Sequence, residues 1–81
     1  MTVRLVDLPP APPKLVTPLW TVTKDAQRLD AELVEQGVAG LELRLLRDHE
    51  WLSGRRFNNR VQAVAHAVET RRELLTRGWQ P

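Results

Sequence analysis

The amino-acid sequence predicts an α+β fold in which a four-stranded antiparallel meander sheet carries one C-terminal helix packed on one face, in the order ββββα. Three observations support this prediction. Prolines are concentrated in residues 1–18, apolar residues recur at every second position from Leu19 to Phe57, and from Asn58 onward they recur at every third or fourth position. The change of period near Asn58 therefore marks the passage from strands to a helix.

The N-terminal segment, residues 1–18, contains five of the six prolines of the chain. Proline has no N–H and restricts the residue before it, so this segment is predicted to be neither a helix nor a central strand. We expect a flexible proline-rich arm at 1–18 and a single domain at 19–81. Residues 9–14, Pro-Pro-Ala-Pro-Pro-Lys, also fit the PxxPx(K/R) ligand pattern, although a stiff tail is the simpler interpretation.

Three segments after the arm alternate apolar and polar residues: LWTVTKD, RLDAELVEQ and GLELRLLRD. This alternation is typical of an antiparallel sheet with one face toward solvent. The connections between them fit short turns, because KDAQ is polar, QGVAG supplies two glycines, and Asp48-His49 stands where a tight hairpin often has Asp-Gly.

A fourth strand is predicted in EWLSGRRF, residues 50–57, but its facing is ambiguous. One set of alternate residues places Arg55 toward the helix, and the other set places Arg56 there. A β-bulge near Gly54 would resolve the conflict, because one extra residue exchanges the two faces of a strand.

The last element is predicted to be an amphipathic helix that begins after Asn58 or Asn59, either of which can cap it, and that ends before Gly78. The predicted buried stripe spans an arc of about 100°. It consists of Val61, Val64, Ala65, Val68, Arg72 and Leu75.

A second, smaller apolar arc lies on another face of the same helix and consists of Ala63, Ala67 and Leu74. A single sheet covers only one side of a helix, so we expect this arc to be an interface. It indicates a homodimer or another protein partner.

Composition narrows the function classes. The net charge is +2, and although the pI is 9.9, basic and acidic residues are spread along the chain without a one-sided segment. The absence of cysteine excludes disulfides and thiolate metal sites and fits a reducing compartment, so we expect a cytoplasmic protein. The sequence has neither an apolar run long enough for a membrane span nor the pattern of a signal peptide. We therefore expect no membrane partner.

Catalytic and metal-binding residues are sparse. A catalytic triad would need Ser53, the one serine, to meet a histidine and a carboxylate, but Ser53 is predicted on a strand and His66 on the far side of the helix. His66, Glu69 and Glu73 could present metal ligands on one helix face, yet they also form its expected solvated face. The glycines match no phosphate-binding loop. We expect no enzyme, no metal and no cofactor.

The best functional candidate is the stretch SGRRFNNR, residues 53–60. Arginines contact phosphates and an aromatic ring stacks on a base, which is typical of single-strand binding. The candidate contacts to nucleic acid or to a partner are Arg44, Arg55, Arg56, Phe57 and Arg60. Against this interpretation, Glu32, Glu35 and Glu42 on the same sheet could pair with these arginines, which would then be structural.

Several short motifs resemble small bacterial proteins of unknown function. They are a tryptophan-rich first strand, a G-x-E-L-R-like third strand at 40–44, a fourth strand ending in Phe57, and a helix ending in an R-x-x-L-x-x-x-G-W-like pattern with altered spacing that includes Gly78 and Trp79. The resemblance covers residues 20–79 and implies no activity. The predicted order of elements is also similar to that of single-strand-binding coactivator and whirly domains, which dimerise, but their binding motifs are not recognisable here.

These observations favour a non-enzymatic interaction or regulatory module whose partner is a second copy or another protein. The alternative is a single-stranded nucleic-acid-binding protein that uses the arginine-rich strand end.

Overall fold

A computed structural model of the chain describes residues 14–37 and 40–81. The strands are β1 (Leu15–Lys24), β2 (Gln27–Glu35), β3 (Leu41–Arg47) and β4 (Glu50–Phe57), and they are followed by the helix α1 (Arg60–Thr76). The strands form one antiparallel sheet in sequential order, with the helix on one face, which confirms the predicted ββββα fold. Among the described residues, no helix has both the length and the apolar character needed to cross a membrane.

The first strand begins at Leu15 rather than at Leu19, so the predicted boundary of the arm is wrong. Leu15 pairs with Glu35 at the end of β2, and a register shift lies between Pro18 and Trp20. Proline is tolerated here because β1 is an edge strand, where a missing N–H need not break a ladder. The rest of the predicted arm, 1–13, with most of its proline-rich motif, lies outside the described residues.

Two tight hairpins connect β1 to β2 and β3 to β4. Asp25 and Ala26 have φ values of 48° and 66°, and Asp48 and His49 have values of 50° and 71°. Two successive left-handed residues are the requirement of a type I′ turn, whose twist matches that of the strands. The hairpin expected at Asp48-His49 is therefore confirmed, although neither turn uses glycine.

The hydrophobic core lies between the helix and one face of the sheet. Leu33 in β2 is fully buried, and its cross-strand partner Leu43 in β3 is 3% exposed. The other buried apolar strand residues on this face are Val22, Leu29 and Ala31. Burying a side chain of the size of leucine or valine contributes about 1.5–3 kcal/mol. The two central strands therefore supply most of the strand side of the core.

The helix presents the opposite apolar face to the one predicted. Ala63 and Ala67 are 0% and 1% exposed, whereas Val61 and Val68 are 79% and 53% exposed. The predicted buried stripe is therefore wrong. The interface expected at Ala63, Ala67 and Leu74 is also corrected, because both alanines are covered by the chain's own sheet and Leu74 is half-buried beside them.

The reason for this orientation lies in the size of the sheet side chains. Trp20, Leu45 and Phe57 already rise from the sheet into the core around Ala67, so only a face of small residues can approach closely. The close approach also satisfies a polar group, because Trp20 Nε1 donates a hydrogen bond to the Ala67 carbonyl oxygen at 2.9 Å. A valine face would separate these two atoms.

Both ends of the helix are capped. The Asn59 side chain accepts a hydrogen bond from the Gln62 N–H at 2.9 Å, as the sequence predicts for one of the two asparagines. At the other end, Gly78 has a φ of 95° and the Trp79 N–H donates to the Leu74 carbonyl at 3.1 Å. This is the arrangement of a Schellman motif, and it turns the chain back toward β1.

Candidate interaction surface

The fourth strand is the most exposed element of the sheet. Seven of its eight residues are exposed, including Trp51 at 65% and Leu52 at 47%. In the part of the chain that the structure describes, β4 pairs with β3 alone, so its second edge carries unpaired N–H and C=O groups. This edge and its two large apolar side chains form the candidate site.

A bulge at Leu52 decides which way the β4 side chains face. Ser53 pairs with Leu45 in β3 and Trp51 pairs with the next residue, Leu46, so Leu52 is the extra residue. The register places Trp51, Gly54 and Arg56 on the outer face of the sheet, and Ser53, Arg55 and Phe57 on the helix face. The ambiguity in the sequence is thus resolved by a bulge, two residues before Gly54.

The arginine cluster predicted from the sequence is divided between the two faces. Arg55 projects on the helix face, where its guanidinium carbon lies 5.1 Å from the centre of the Phe57 ring. Arg56 lies on the outer face, across from Glu42 in β3. Consecutive residues of a strand cannot join in one surface, so these two arginines do not form a continuous phosphate-binding patch.

Two further arginines of the predicted cluster are paired with carboxylates. Arg44 Nε donates to Glu42 on the outer face, and Arg60 Nη1 donates to Glu35 Oε2 at 3.0 Å beside the helix N-terminus. The ion pairs partly neutralise the charge that a phosphate would need. Two of the three opposing glutamates considered in the sequence therefore do pair with the arginines.

A shallow depression separates β4 from the helix. Ser53 and Arg55 from β4, and His66 and Thr70 from the helix, line it over the side chains of Leu43 and Leu45. His66 is half-buried, with its ring 5.4 Å from that of Phe57, because the helix is turned opposite to the prediction. No carboxylate is among the described residues that line this depression, so His66 lacks the partner that a triad requires. Across residues 14–37 and 40–81, no group of three metal-ligating side chains occurs.

The opposite edge of the sheet is covered near the end of β1. Thr23 in β1 exchanges both backbone hydrogen bonds with Gln80, each at 2.8 Å. Lys24 Nζ adds a hydrogen bond to the Arg77 carbonyl at 2.8 Å. The segment after the helix therefore occupies backbone groups on β1 that a foreign strand would otherwise use.

One polar cluster joins β1 to β2 on the outer face. The Asp30 carboxylate accepts hydrogen bonds from the Thr21 hydroxyl and from Arg28 Nε, the latter at 3.0 and 3.1 Å. Burial raises the pKa of Asp30, but the hydrogen bonds from Thr21 and Arg28 and the positive charge of Arg28 outweigh it and hold the pKa below the ordinary value of 3.8. The cluster is a structural tie between the strands.

The exposed face of the helix is a second apolar surface. Besides Val61 and Val68 it carries the exposed Ala65, and Arg72 pairs with Glu69 at 3.4 Å next to it. The sequence predicted this face to be buried, and so missed it as a surface.

The sequence also missed Trp51 and Leu52, because a strand with an ambiguous facing hides which of its large residues are exposed. The bulge needed near Gly54 was the one signal that could have found them. Comparisons with protein-family models, with curated proteins and with solved structures found no match for this chain, so the resemblance to small bacterial proteins stays a prediction.

Proposed function

We propose that this chain is a non-enzymatic protein-interaction module that accepts an extended strand of a partner at the open edge of β4. The observation that carries the proposal is that, among the described residues, no strand lies beside the outer edge of β4, while seven of its eight residues are exposed. Strand addition needs unpaired backbone groups for affinity and side-chain contacts for specificity. Both are present along this edge.

The side chains of β4 support contact with a polypeptide. Trp51 and Leu52 are adjacent, large and exposed. Tryptophan is enriched among the residues that dominate protein interfaces, since it buries a large apolar area and has few rotatable bonds. A strand that docks here would cover these two side chains and would extend the sheet.

The test is a selection of linear peptides from a random display library on the immobilised chain, followed by binding measurements on two proline variants. Leu52→Pro changes the unpaired residue of the bulge, so no cross-strand partner in β3 is lost while added strands are blocked. Leu15→Pro is the matched control, because it changes an exposed leucine at the start of the other edge strand.

We expect the selected peptides to bind the wild-type chain and Leu15→Pro equally, and to lose at least about 1.4 kcal/mol, or tenfold, on Leu52→Pro. Circular dichroism checks that both variants are folded. Peptides that bind Leu52→Pro as tightly as the wild-type chain would contradict the proposal, and so would a selection that yields no binder.

The second candidate is the binding of single-stranded nucleic acid, favoured by the stacking of Arg55 on Phe57 on an exposed strand. It predicts that the affinity for a fluorescent oligonucleotide falls steeply with salt and is lost in Arg55→Ala/Arg56→Ala. Arg71→Ala/Arg72→Ala, another adjacent pair, is the matched control for lost charge. Equal loss in both double variants, or binding that salt does not change, would contradict this candidate.

A further inference from the structure

We infer that the strand accepted by β4 is the β4 of a second copy of this chain, antiparallel to the first, so that two sheets join into one of eight strands. The inference rests on the proposed function and names its partner. The two-fold axis passes near Gly54, at the middle of the strand. In this register Gly54 faces Gly54 of the second copy, and Ser53 faces Arg55 of the second copy.

The charges of β4 are self-complementary in the antiparallel direction. Glu50 lies at the start of the strand, and Arg55 and Arg56 lie near its end. Antiparallel pairing brings Glu50 diagonally next to Arg55 of the second copy on the helix face, within reach of long side chains. The two Arg55 side chains are diagonal neighbours across the axis, each opposite a Ser53, so the pairs with Glu50 offset their repulsion. Parallel pairing would instead align arginine with arginine, which is unfavourable.

The bulge is compatible with the same register. Beyond the Ser53–Arg55 pair, the extra residue Leu52 brings Trp51 opposite Arg56 of the second copy, and both side chains are on the outer face. An indole ring opposite a guanidinium group is a favourable contact. The exposed ring of Trp51 is thereby covered without placing like charges opposite each other.

Gly54 fits the position on the axis. A Cβ atom there would lie 3.0 Å from Glu42 Oε2 and 3.4 Å from the Trp51 ring, so the outer face around Gly54 is already filled by these two side chains. With no side chain at Gly54 in either copy, the two backbones can approach to hydrogen-bonding distance. A strand pair of this length lies at the small end of specific interfaces, so we expect a dimer that dissociates on dilution.

The first experiment is sedimentation equilibrium of the full chain over a concentration series. We expect the apparent mass to rise from the monomer value of 9.3 kDa toward twice that value. Glu50→Arg and Arg55→Glu each place like charges on the neighbouring positions and are expected to raise the dissociation constant about tenfold. The double variant Glu50→Arg/Arg55→Glu restores opposite charges and is expected to recover most of the affinity.

Two controls separate this dimer from others. Glu69→Arg/Arg72→Glu exchanges the charges of an exposed ion pair on the helix and keeps the net charge, so it should leave the dissociation constant unchanged. Val68→Glu would abolish a dimer formed through the exposed valine face and should leave a β4 dimer intact. Loss of the dimer in Val68→Glu alone overturns the inference, and so does a double charge exchange in β4 that fails to rescue.

The second experiment tests the register. Because the chain has no cysteine, single cysteines can be introduced without background reaction. A mixture of Ser53→Cys and Arg55→Cys should form disulfide-linked dimers faster than either variant alone, since these positions face each other across the axis. Equal rates in all three samples overturn the register.

The outcomes separate the inference from the proposed function. A chain that stays monomeric at every concentration, yet binds selected peptides through β4, overturns the self-pairing and leaves the strand-accepting edge in place. A monomeric chain that binds no peptide overturns both.

Discussion

The two edge strands of this sheet differ in how far the rest of the chain covers them. β1 holds Trp20 against the helix, carries Pro18 next to a register shift, and exchanges backbone hydrogen bonds with Gln80. β4 has a bulge at Leu52 and charged residues near its end, but most of its side chains are exposed and none of the described strands pairs with its outer edge. In the described part of the chain, the sheet therefore covers part of the β1 edge with its own C-terminal segment and leaves the β4 edge uncovered. The covered end of β1 stabilises the fold, and the uncovered edge of β4 is where we propose that a partner strand binds.

Substitutions of the two edge-strand tryptophans should show the largest difference in unfolding free energy. Trp20→Ala removes a half-buried ring and its hydrogen bond to Ala67, so it should cost about 3 kcal/mol of unfolding free energy. Trp51→Ala removes a ring that is 65% exposed, and it should cost less than about 0.5 kcal/mol. Urea denaturation of both variants, at a concentration where the chain is monomeric, measures the difference. Equal losses would show that β4 is as much a part of the core as β1.

Substitutions of two glycines should show a smaller difference in unfolding free energy. Gly78, with a φ of 95°, turns the chain toward Thr23, so Gly78→Ala should cost about 1–2 kcal/mol because alanine is strained there. Gly54 lies in β4 without a positive φ, and a Cβ would meet the movable end of the Glu42 side chain, so Gly54→Ala should stay within about 0.5 kcal/mol of wild type. Thermal unfolding tests both, and a larger loss at Gly54 would contradict this ranking.

The hairpins that end the two edge strands should respond in the opposite sense, by gaining stability. Ala26 has a φ of 66° and His49 of 71°, where side chains are disfavoured and glycine is not. Ala26→Gly should gain about 1 kcal/mol, and His49→Gly less than that, since histidine tolerates this conformation better than alanine. Chemical denaturation measures both gains. A loss in Ala26→Gly would show that the alanine side chain contributes packing that outweighs its strain.

Acid should weaken the Asp30 cluster that joins β1 to β2. Of the changes in stability compared here, this one should be the smallest. The folded state lowers the pKa of Asp30 below 3.8, so the stability it contributes is present above that value and disappears as the pH falls through the lower, folded-state pKa. Asp30→Asn should therefore be less stable than wild type at neutral pH by under about 1 kcal/mol. This gap should shrink in acid. Unfolding curves from neutral pH to about pH 2 test this, with Glu73→Gln as a control, and a gap that stays constant in acid would contradict it.

The element order was predictable because it depends on hydrophobic period, a local property of the sequence. The alternation from Leu19 to Leu45 and the change near Asn58 are visible without tertiary information, and Asn59 and Gly78 mark the ends of the helix by their own chemistry. The start of β1 was misjudged because prolines were taken to exclude a strand. An edge position removes that objection for Pro18, and only the assembled sheet reveals which strand is at the edge.

The orientation of the helix was not predictable from its own sequence. It has two apolar faces, one centred on Val68 and one on Ala67, and the face with the larger side chains is the one the sequence pattern favours for burial. The choice is made by the sheet, whose large side chains leave room only for alanine and whose Trp20 needs an acceptor. The prediction that the arginines form one surface was wrong for a related reason. Arg55 and Arg56 are neighbours in the sequence, but they lie on opposite faces of a strand.

The pairing of Thr23 with Gln80 also has a consequence for how the chain is made. During translation, β1 and β2 can form their hairpin as soon as both have left the ribosome, whereas residue 80 emerges only after the helix has been synthesised. Throughout that interval none of the described residues covers the outer edge of β1 at Thr23. Strand exchange between neighbouring nascent chains is easiest in this interval, and the pairing of Gln80 with Thr23 then covers part of the β1 edge.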